Sequence, residues 1–214
     1  EELKKQRAWE LCEEKIQEKS QERNMILNEP DEEEIKTVLK TAKKGKSVSG
    51  IIPTEFWQHS KIGLKILTEF IKKVWNGAEP PEQWLNAALV LLYKQKGLKT
   101  DPSSYRGISL LSSAEKIISM VILHRIKPHL EKKLHTRQAG FRSGKSCRDA
   151  VFVLLREMEA SIERGEPVVY NFVDFKKAFD SLDWATMWQV MRSQGMPAKI
   201  VAIIKSLYEK ASIS

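Results

Sequence analysis

Val168-Val169-Tyr170-Asn171-Phe172-Val173-Asp174-Phe175-Lys176-Lys177-Ala178-Phe179-Asp180 sets the carboxylates of Asp174 and Asp180 on either side of a lysine pair, just past an apolar run. A carboxylate fixed where a buried strand ends is held rigidly at an edge and can coordinate a hard cation such as Mg²⁺. The alternative is structural: Asp174 caps the following turn and the lysines are solvated. The element that must position Asp174 is the run before it, β-branched and aromatic, and opened by Gly165 and Pro167. That pattern predicts a short strand buried on both faces.

The chain of 214 residues, 42% hydrophobic with six Trp, is large enough for one large or two small domains with a real core. No apolar run approaches the ~20 residues of a membrane span, and Glu1-Glu2-Leu3-Lys4-Lys5 is no signal peptide. An intracellular chain, cytoplasmic or nuclear and without a membrane partner, is expected. Cys12 and Cys147 stand far apart, which indicates neither a disulfide framework nor a zinc site. The net charge of +8 is uneven: residues 1–34 hold 6 basic and 12 acidic side chains, whereas residues 94–148 hold 13 basic and 3 acidic. A local excess of +10 suits a polyanion such as a phosphate backbone, although a basic surface kept for solubility has the same signature.

Taken in order, residues 1–29 form a charged, weakly amphipathic helical extension or linker. After Pro30, Asp31-Glu32-Glu33-Glu34 loads the first turn of a helix that ends in lysines before Gly45. Gly45 to Gly50 reads as a loop, and Pro53 starts a short helical piece with Phe56 and Trp57. Ile62, Ile66, Leu67, Phe70, Ile71 and Val74 predict the core face of a longer helix. Ala87 to Tyr93 and Arg106 to Leu111 predict two strands joined by the basic tip Lys94-Gln95-Lys96-Gly97-Leu98-Lys99, a finger suited to lie over phosphates. Ser112 and Glu115 make a capping box before the stripe Ile117, Ile118, Val121, Ile122, Ile126. Gly140 to Ser146 has one residue too few between its glycines for a P-loop, and no hydrophobic strand precedes it. Instead Ser146 and Asp149 cap a helix, ending at Gly165, whose Val151, Leu154, Leu155, Met158 and Ile162 are expected to face a core.

Trp84 through Tyr93-Lys94-Gln95-Lys96-Gly97, Tyr105-Arg106-Gly107-Ile108-Ser109-Leu110-Leu111, Gln138-Ala139-Gly140-Phe141-Arg142, and Phe172-Val173-Asp174-Phe175-Lys176-Lys177-Ala178-Phe179-Asp180 follow one another in this order. In that order the sequence resembles reverse transcriptases of the non-LTR retrotransposon (LINE-like) family. The resemblance implies an α+β right-hand polymerase, with fingers and part of the palm over 30–165 and the start of the palm over 166–214, truncated before the rest of the palm and the thumb. It implies an RNA template, a DNA primer and dNTPs as partners, the remaining polymerase domains in cis, and two Mg²⁺ ions in the complete enzyme. Asp174 would be the first metal-binding carboxylate and the backbone carbonyl of Phe175 a second oxygen ligand, for ions that activate the primer 3′-hydroxyl and stabilise the leaving pyrophosphate. Phe179 matches the sugar gate that selects deoxynucleotides, or is a core aromatic. Arg106, with either Lys94 or Lys96, matches the residues that grip the incoming triphosphate, Arg through its planar fork and Lys as a point charge. Gln138, Gly140, Phe141 and Arg142 look like the template-contact segment, or Phe141 is buried.

Two departures limit what the resemblance implies. No Asp-Asp pair occurs, whereas the family supplies its remaining metal-binding carboxylates from an aromatic-Ala-Asp-Asp signature. The 214 residues are therefore expected to lack polymerase activity by themselves. Lys46-Ser47-Val48-Ser49-Gly50-Ile51 stands where the family has a Pro-Gly pair and an Asp before Gly-Ile, which puts that loop's template contact in doubt. A non-catalytic nucleic-acid-binding remnant is the main alternative. A phosphoacceptor α/β domain leaves the basic segment unexplained, and Phe179 disfavours an RNA-dependent RNA polymerase, which must admit the 2′-hydroxyl.

Overall fold

A computed structural model describes residues 26–42, 52–209 and 211–213. Most of the proposed extension over 1–29 and the loop from Gly45 to Gly50 lie outside the described residues. The remainder is α+β, with eight α-helices and one three-stranded sheet among the described residues. It divides into two compact units, one comprising the chain up to Ile126 together with Trp188 onward, the other Lys127–Met187. These divisions fall elsewhere than the sequence-based boundary between 165 and 166.

In the first unit, α1 (Glu32–Thr41) starts where Asp31 accepts the Glu34 amide at 2.7 Å, and three glutamates in its first turn complement the helix dipole. α2 (Thr54–His59) and α3 (Lys61–Trp75) follow, and α1 packs on both. α3 buries Leu64, Leu67, Thr68, Ile71, Val74 and Trp75. The expected stripe is thus partly corrected: Ile62, Ile66 and Phe70 face outward, Ile62 being 74% exposed. The helix is apolar on more than one side, and Trp75, fully buried at its end, fixes which side turns inward. Ile66 and Phe70 instead line an apolar cavity of about 430 Å³ with Ile52, Trp57 and Trp84.

After α4 (Glu82–Leu85), β1 (Asn86–Tyr93) and β2 (Tyr105–Leu110) form the expected antiparallel hairpin, with Val90 opposite Ile108 and Leu92 opposite Arg106. β3 (Ser212–Ile213) adds parallel to the start of β1, giving the order β2-β1-β3. α5 (Ser113–Glu131) buries Ile117, Ile118, Val121, Ile122 and Ile126 as its spacing predicts. α7 (Trp184–Ser193), whose first turn belongs to the second unit and whose remainder from Trp188 belongs to the first, begins where Asp183 accepts the Thr186 amide at 2.7 Å. The side-chain and backbone hydrogen bonds from Thr186 hold the Asp183 carboxyl below the ordinary range. α8 (Ala198–Glu209) buries Ile200, Val201, Ile203 and Leu207.

Arg125 ties this unit together. Its guanidinium donates to both Glu34 oxygens, at 2.7 and 2.5 Å, and to the carbonyls of Ile26 and Asn28. It also lies 4.8 Å from the centre of the Trp75 ring, while Trp75 Nε1 donates to the Leu27 carbonyl at 3.1 Å. Side-chain hydrogen bonds also link α2 to α5: Trp57 Nε1 donates to Ser113 Oγ at 2.8 Å, and that hydroxyl donates to the Ile52 carbonyl at 2.6 Å.

At the start of α5 the Glu115 amide donates to Ser112 Oγ at 3.1 Å, but the Glu115 side chain, only 5% exposed, leaves Oε2 without a hydrogen-bond partner. Desolvation raises its pKa to about 7. The folded chain therefore holds this proton where the unfolded chain has released it, between the ordinary value of 4.5 and about 7. Stability from this group falls as pH rises through that window and is flat above it. Glu115→Gln is expected to leave stability nearly unchanged at pH 4.5 and to raise it by about 2 kcal/mol at pH 8. Urea unfolding of both proteins at the two pH values checks this; an equal gain at both would remove the ionisation as the cause.

In the second unit α6 (Cys147–Arg164) has the expected ends: the Ser146 amide donates to Asp149 at 2.7 Å, and Gly165 turns left-handed at φ 66°. Its expected core face is corrected, because Val151, Leu155, Met158 and Ile162 are exposed and Leu154 is half-buried. Among the described residues of this unit, Ser161 is the one buried side chain. An amphipathic helix needs an opposing apolar layer, and the described residues of this unit supply none.

Candidate functional site

The candidate residues fall into two sets, one on the hairpin of the first unit and one in the loops of the second.

On the hairpin, Asp101 caps a 3₁₀ turn (Pro102–Ser104) by accepting from the Ser103 amide at 2.8 Å and from its hydroxyl at 2.6 Å. Those bonds from Ser103 hold the Asp101 carboxyl below its usual value. Tyr93 and Tyr105 face each other across the strands, with ring centres 5.4 Å apart. Their hydroxyls donate to the Gly97 and Lys99 carbonyls at 2.7 and 2.8 Å, which pins both sides of the basic tip. Gln95 at φ 57° and Gly97 at φ 88° provide the reversal. Lys94 Nζ donates to the Ser103 carbonyl at 2.7 Å, so its ammonium is engaged in holding the turn. Lys96 is exposed at the tip with no hydrogen-bond or ion-pair partner among the described residues, and Arg106 is exposed opposite Leu92. The result is a rigid loop displaying cations, a form suited to phosphate oxygens.

In the second unit, the predicted strand from Val168 to Val173 is corrected: it has no ladder, and Phe172 and Val173 are 83% and 78% exposed. A strand exists by hydrogen bonding to neighbours, and the one sheet among the described residues does not include this segment. Asp174 and Phe175 are exposed at the end of that extended segment. A turn follows in which Lys177 takes φ 50° and the Ser181 amide donates to the Lys177 carbonyl at 3.0 Å; it carries Phe179 outward. No group of three or more His, Cys, Asp and Glu able to hold a metal occurs among the described residues. Asp174 and the Phe175 carbonyl therefore offer suitable hard donors but not a closed cation site.

Gln138, Gly140, Phe141 and Arg142 lie in the loop after α5. Arg142 is anchored inward, its Nε donating to Glu131 at 2.6 Å and its Nη1 to the His135 carbonyl at 2.8 Å. Gln138 Nε2 reaches the Gly140 carbonyl at 3.4 Å. Phe141 is exposed rather than buried, and its ring stands edge-on to Phe179, centres 6.2 Å apart at 87°. The structure thus joins two of the four sequence segments. The Tyr93–Tyr105 clamp and the Asp183 cap went unread in the sequence. Asp183 carried a signal, an Asp directly before a helical run, whereas the tyrosine clamp becomes visible only once strand register is known.

The reverse transcriptase (RNA-dependent DNA polymerase) family matches residues 94–214. The probable RNA-directed DNA polymerase from transposon BS of Drosophila melanogaster is 30% identical over 131 residues, covering 60% of this chain and 14% of that protein. The retrovirus-related Pol polyprotein from type-1 retrotransposable element R1 of Bradysia coprophila is 31% identical over 140 residues, 57% of this chain and 14% of that protein. The RNA-directed DNA polymerase from mobile element jockey of Drosophila melanogaster is 27% identical over 132 residues, 61% of this chain and again 14% of the relative. The chain thus spans about 14% of the length of these curated relatives.

Proposed function

This chain belongs to the reverse transcriptase family, and on that premise we propose that it carries the fingers and the first palm segment of an RNA-directed DNA polymerase of the non-LTR retrotransposon kind. The observation that carries the reading is the family match running through the hairpin tip, the Gln138 to Arg142 loop and the Asp174 segment in one pass. The complete polymerase adds dNTPs to a primer 3′-hydroxyl on an RNA template. Arg106 and Lys96 grip the triphosphate; Lys96 is favoured over Lys94 because the Lys94 ammonium already holds the Ser103 carbonyl. Asp174 and the Phe175 carbonyl contribute oxygens toward divalent ions, with the other carboxylates coming from outside the 214 residues, which contain no Asp-Asp pair. When bound, such ions activate the attacking hydroxyl and stabilise the leaving pyrophosphate. Phe179 presents its ring as the sugar gate. The +10 segment follows the backbone of an A-like hybrid without reading its bases.

The test is primer extension on an RNA template with Mg²⁺. The purified 214-residue chain is expected to bind primer–template with strong salt dependence and to incorporate nothing, while the same segment completed in cis by its remaining domains extends the primer. Incorporation by the 214 residues alone would overturn the incomplete metal site. A second reading is a non-catalytic nucleic-acid-binding remnant, which needs only the basic segment over 94–148. In that case the completed protein binds but does not extend.

Phe179→Val in the complete enzyme is expected to admit ribonucleotides, lowering the ratio of dNTP to rNTP kcat/KM by roughly tenfold to two-hundredfold, what a pocket gains or loses with one small group. A constant ratio would leave Phe179 as an ordinary surface aromatic.

A further inference from the structure

We propose that Phe141 is a positioning residue for Phe179, so that the loop from Gln138 to Arg142 sets deoxynucleotide selection as well as lying near the template. This rests on the reading of Phe179 as the sugar gate.

Four observations converge on the pair. The rings meet edge to face at 6.2 Å and 87°, a geometry favoured by the ring quadrupole and worth more than the area it covers. Both rings are otherwise open, Phe141 being 93% and Phe179 74% exposed, so little else restricts the Phe179 ring. Phe141 takes φ 60°, a left-handed conformation that is an outlier for a bulky side chain. Gly140, adjacent to it, would adopt that conformation without strain, so the chain sets the aromatic where the backbone resists it. Finally, the loop is fastened from below: Arg142 donates to Glu131 at 2.6 Å and to the His135 carbonyl at 2.8 Å, with the guanidinium largely buried.

A steric gate works only if its ring stays where the 2′-hydroxyl must project. An exposed ring on a turn samples several rotamers, and each departure opens the gate. The Phe141 edge restricts that sampling without touching the nucleotide. A fixed support of this kind suits a selectivity residue, because a displacement of about 1 Å in a reacting constellation already has large kinetic effects.

The experiment compares dNTP and rNTP kcat/KM in the completed polymerase for Phe141→Leu, Phe141→Tyr, Phe179→Val and the double variant Phe141→Leu/Phe179→Val. An edge-to-face pair predicts that Phe141→Leu lowers discrimination between about twofold and tenfold, mainly by improving rNTP use, with dNTP kcat/KM little changed. Phe141→Tyr keeps the ring and restores parental discrimination, and Phe141→Leu changes nothing further once Phe179 is Val. Unchanged discrimination in Phe141→Leu, alongside a widened gate in Phe179→Val, overturns the positioning role and leaves the gate intact. Equal losses from Phe141→Leu in both backgrounds also overturn it, because the effect then bypasses Phe179. No effect of Phe179→Val removes the gate and this inference with it. A second readout needs no activity: ring-selective labelling of phenylalanine in the 214-residue chain should give a nuclear Overhauser contact between the two rings. Its absence would overturn the pairing.

Discussion

Asp174→Asn is expected to abolish primer extension by the complete polymerase in Mg²⁺, by about three orders of magnitude or more, with primer–template affinity nearly unchanged. The substitution keeps the shape of the side chain and removes its charge, which is what a hard divalent cation needs from it. Losing one preorganised electrostatic contact to a reacting centre already costs about a hundredfold to a thousandfold in other enzymes, and a lost metal-binding carboxylate removes more. The structure separates this effect from folding. Asp174 is exposed, with no hydrogen bond or ion pair among the described residues, so its replacement is expected to shift stability by less than about 0.5 kcal/mol. On the proposed reading the basic segment makes distributed contacts to phosphates, so the salt slope of binding should stay that of the parent. Extension at the parental rate by the Asn variant would remove Asp174 from the chemistry.

The elements that were legible in the sequence are those whose signals are local. Asp31 with three glutamates after it, Ser146 with Asp149, and Gly165 past the last helical residue each satisfy or end a helix by contacts within a few residues, and each is found as expected. The hairpin was legible for the same reason, since two β-rich runs and a turn determine each other. What failed depended on partners distant in sequence. The run from Val168 to Val173 has strand composition, but a strand is completed by its neighbours, and among the described residues it has none. The apolar face of α6 is real as a pattern and exposed as a surface, because periodicity specifies that a face wants burial and not what covers it. At the candidate site, motif order nominated the residues, whereas the Phe141–Phe179 contact and the inward anchoring of Arg142 required coordinates.

Arg125 supplies the second large effect, and its reading depends on that same distinction. In sequence it sits within the stripe Ile118, Val121, Ile122, Ile126, where a charged residue is either at the edge of a buried face or paired within it. The structure shows the second case: the side chain is 9% exposed and reaches Glu34, the carbonyls of Ile26 and Asn28, and the Trp75 ring. Truncation by Arg125→Ala leaves a largely buried Glu34 carboxylate and two carbonyls without their donor, and is expected to destabilise the first unit by about 3–5 kcal/mol. At 2–4 °C per kcal/mol for a chain of this size, the melting temperature falls by roughly 10 °C. Arg125→Lys keeps the charge but not the planar fork that serves two carboxylate oxygens and two carbonyls together, so it should recover only part of the loss. Replacing both partners, Arg125→Met with Glu34→Leu, should be milder than Arg125→Ala alone, because no charge is left stranded. Thermal and urea unfolding of the four proteins checks the order. Parental stability in Arg125→Lys would mean that charge alone, rather than the fork, joins α5 to α1.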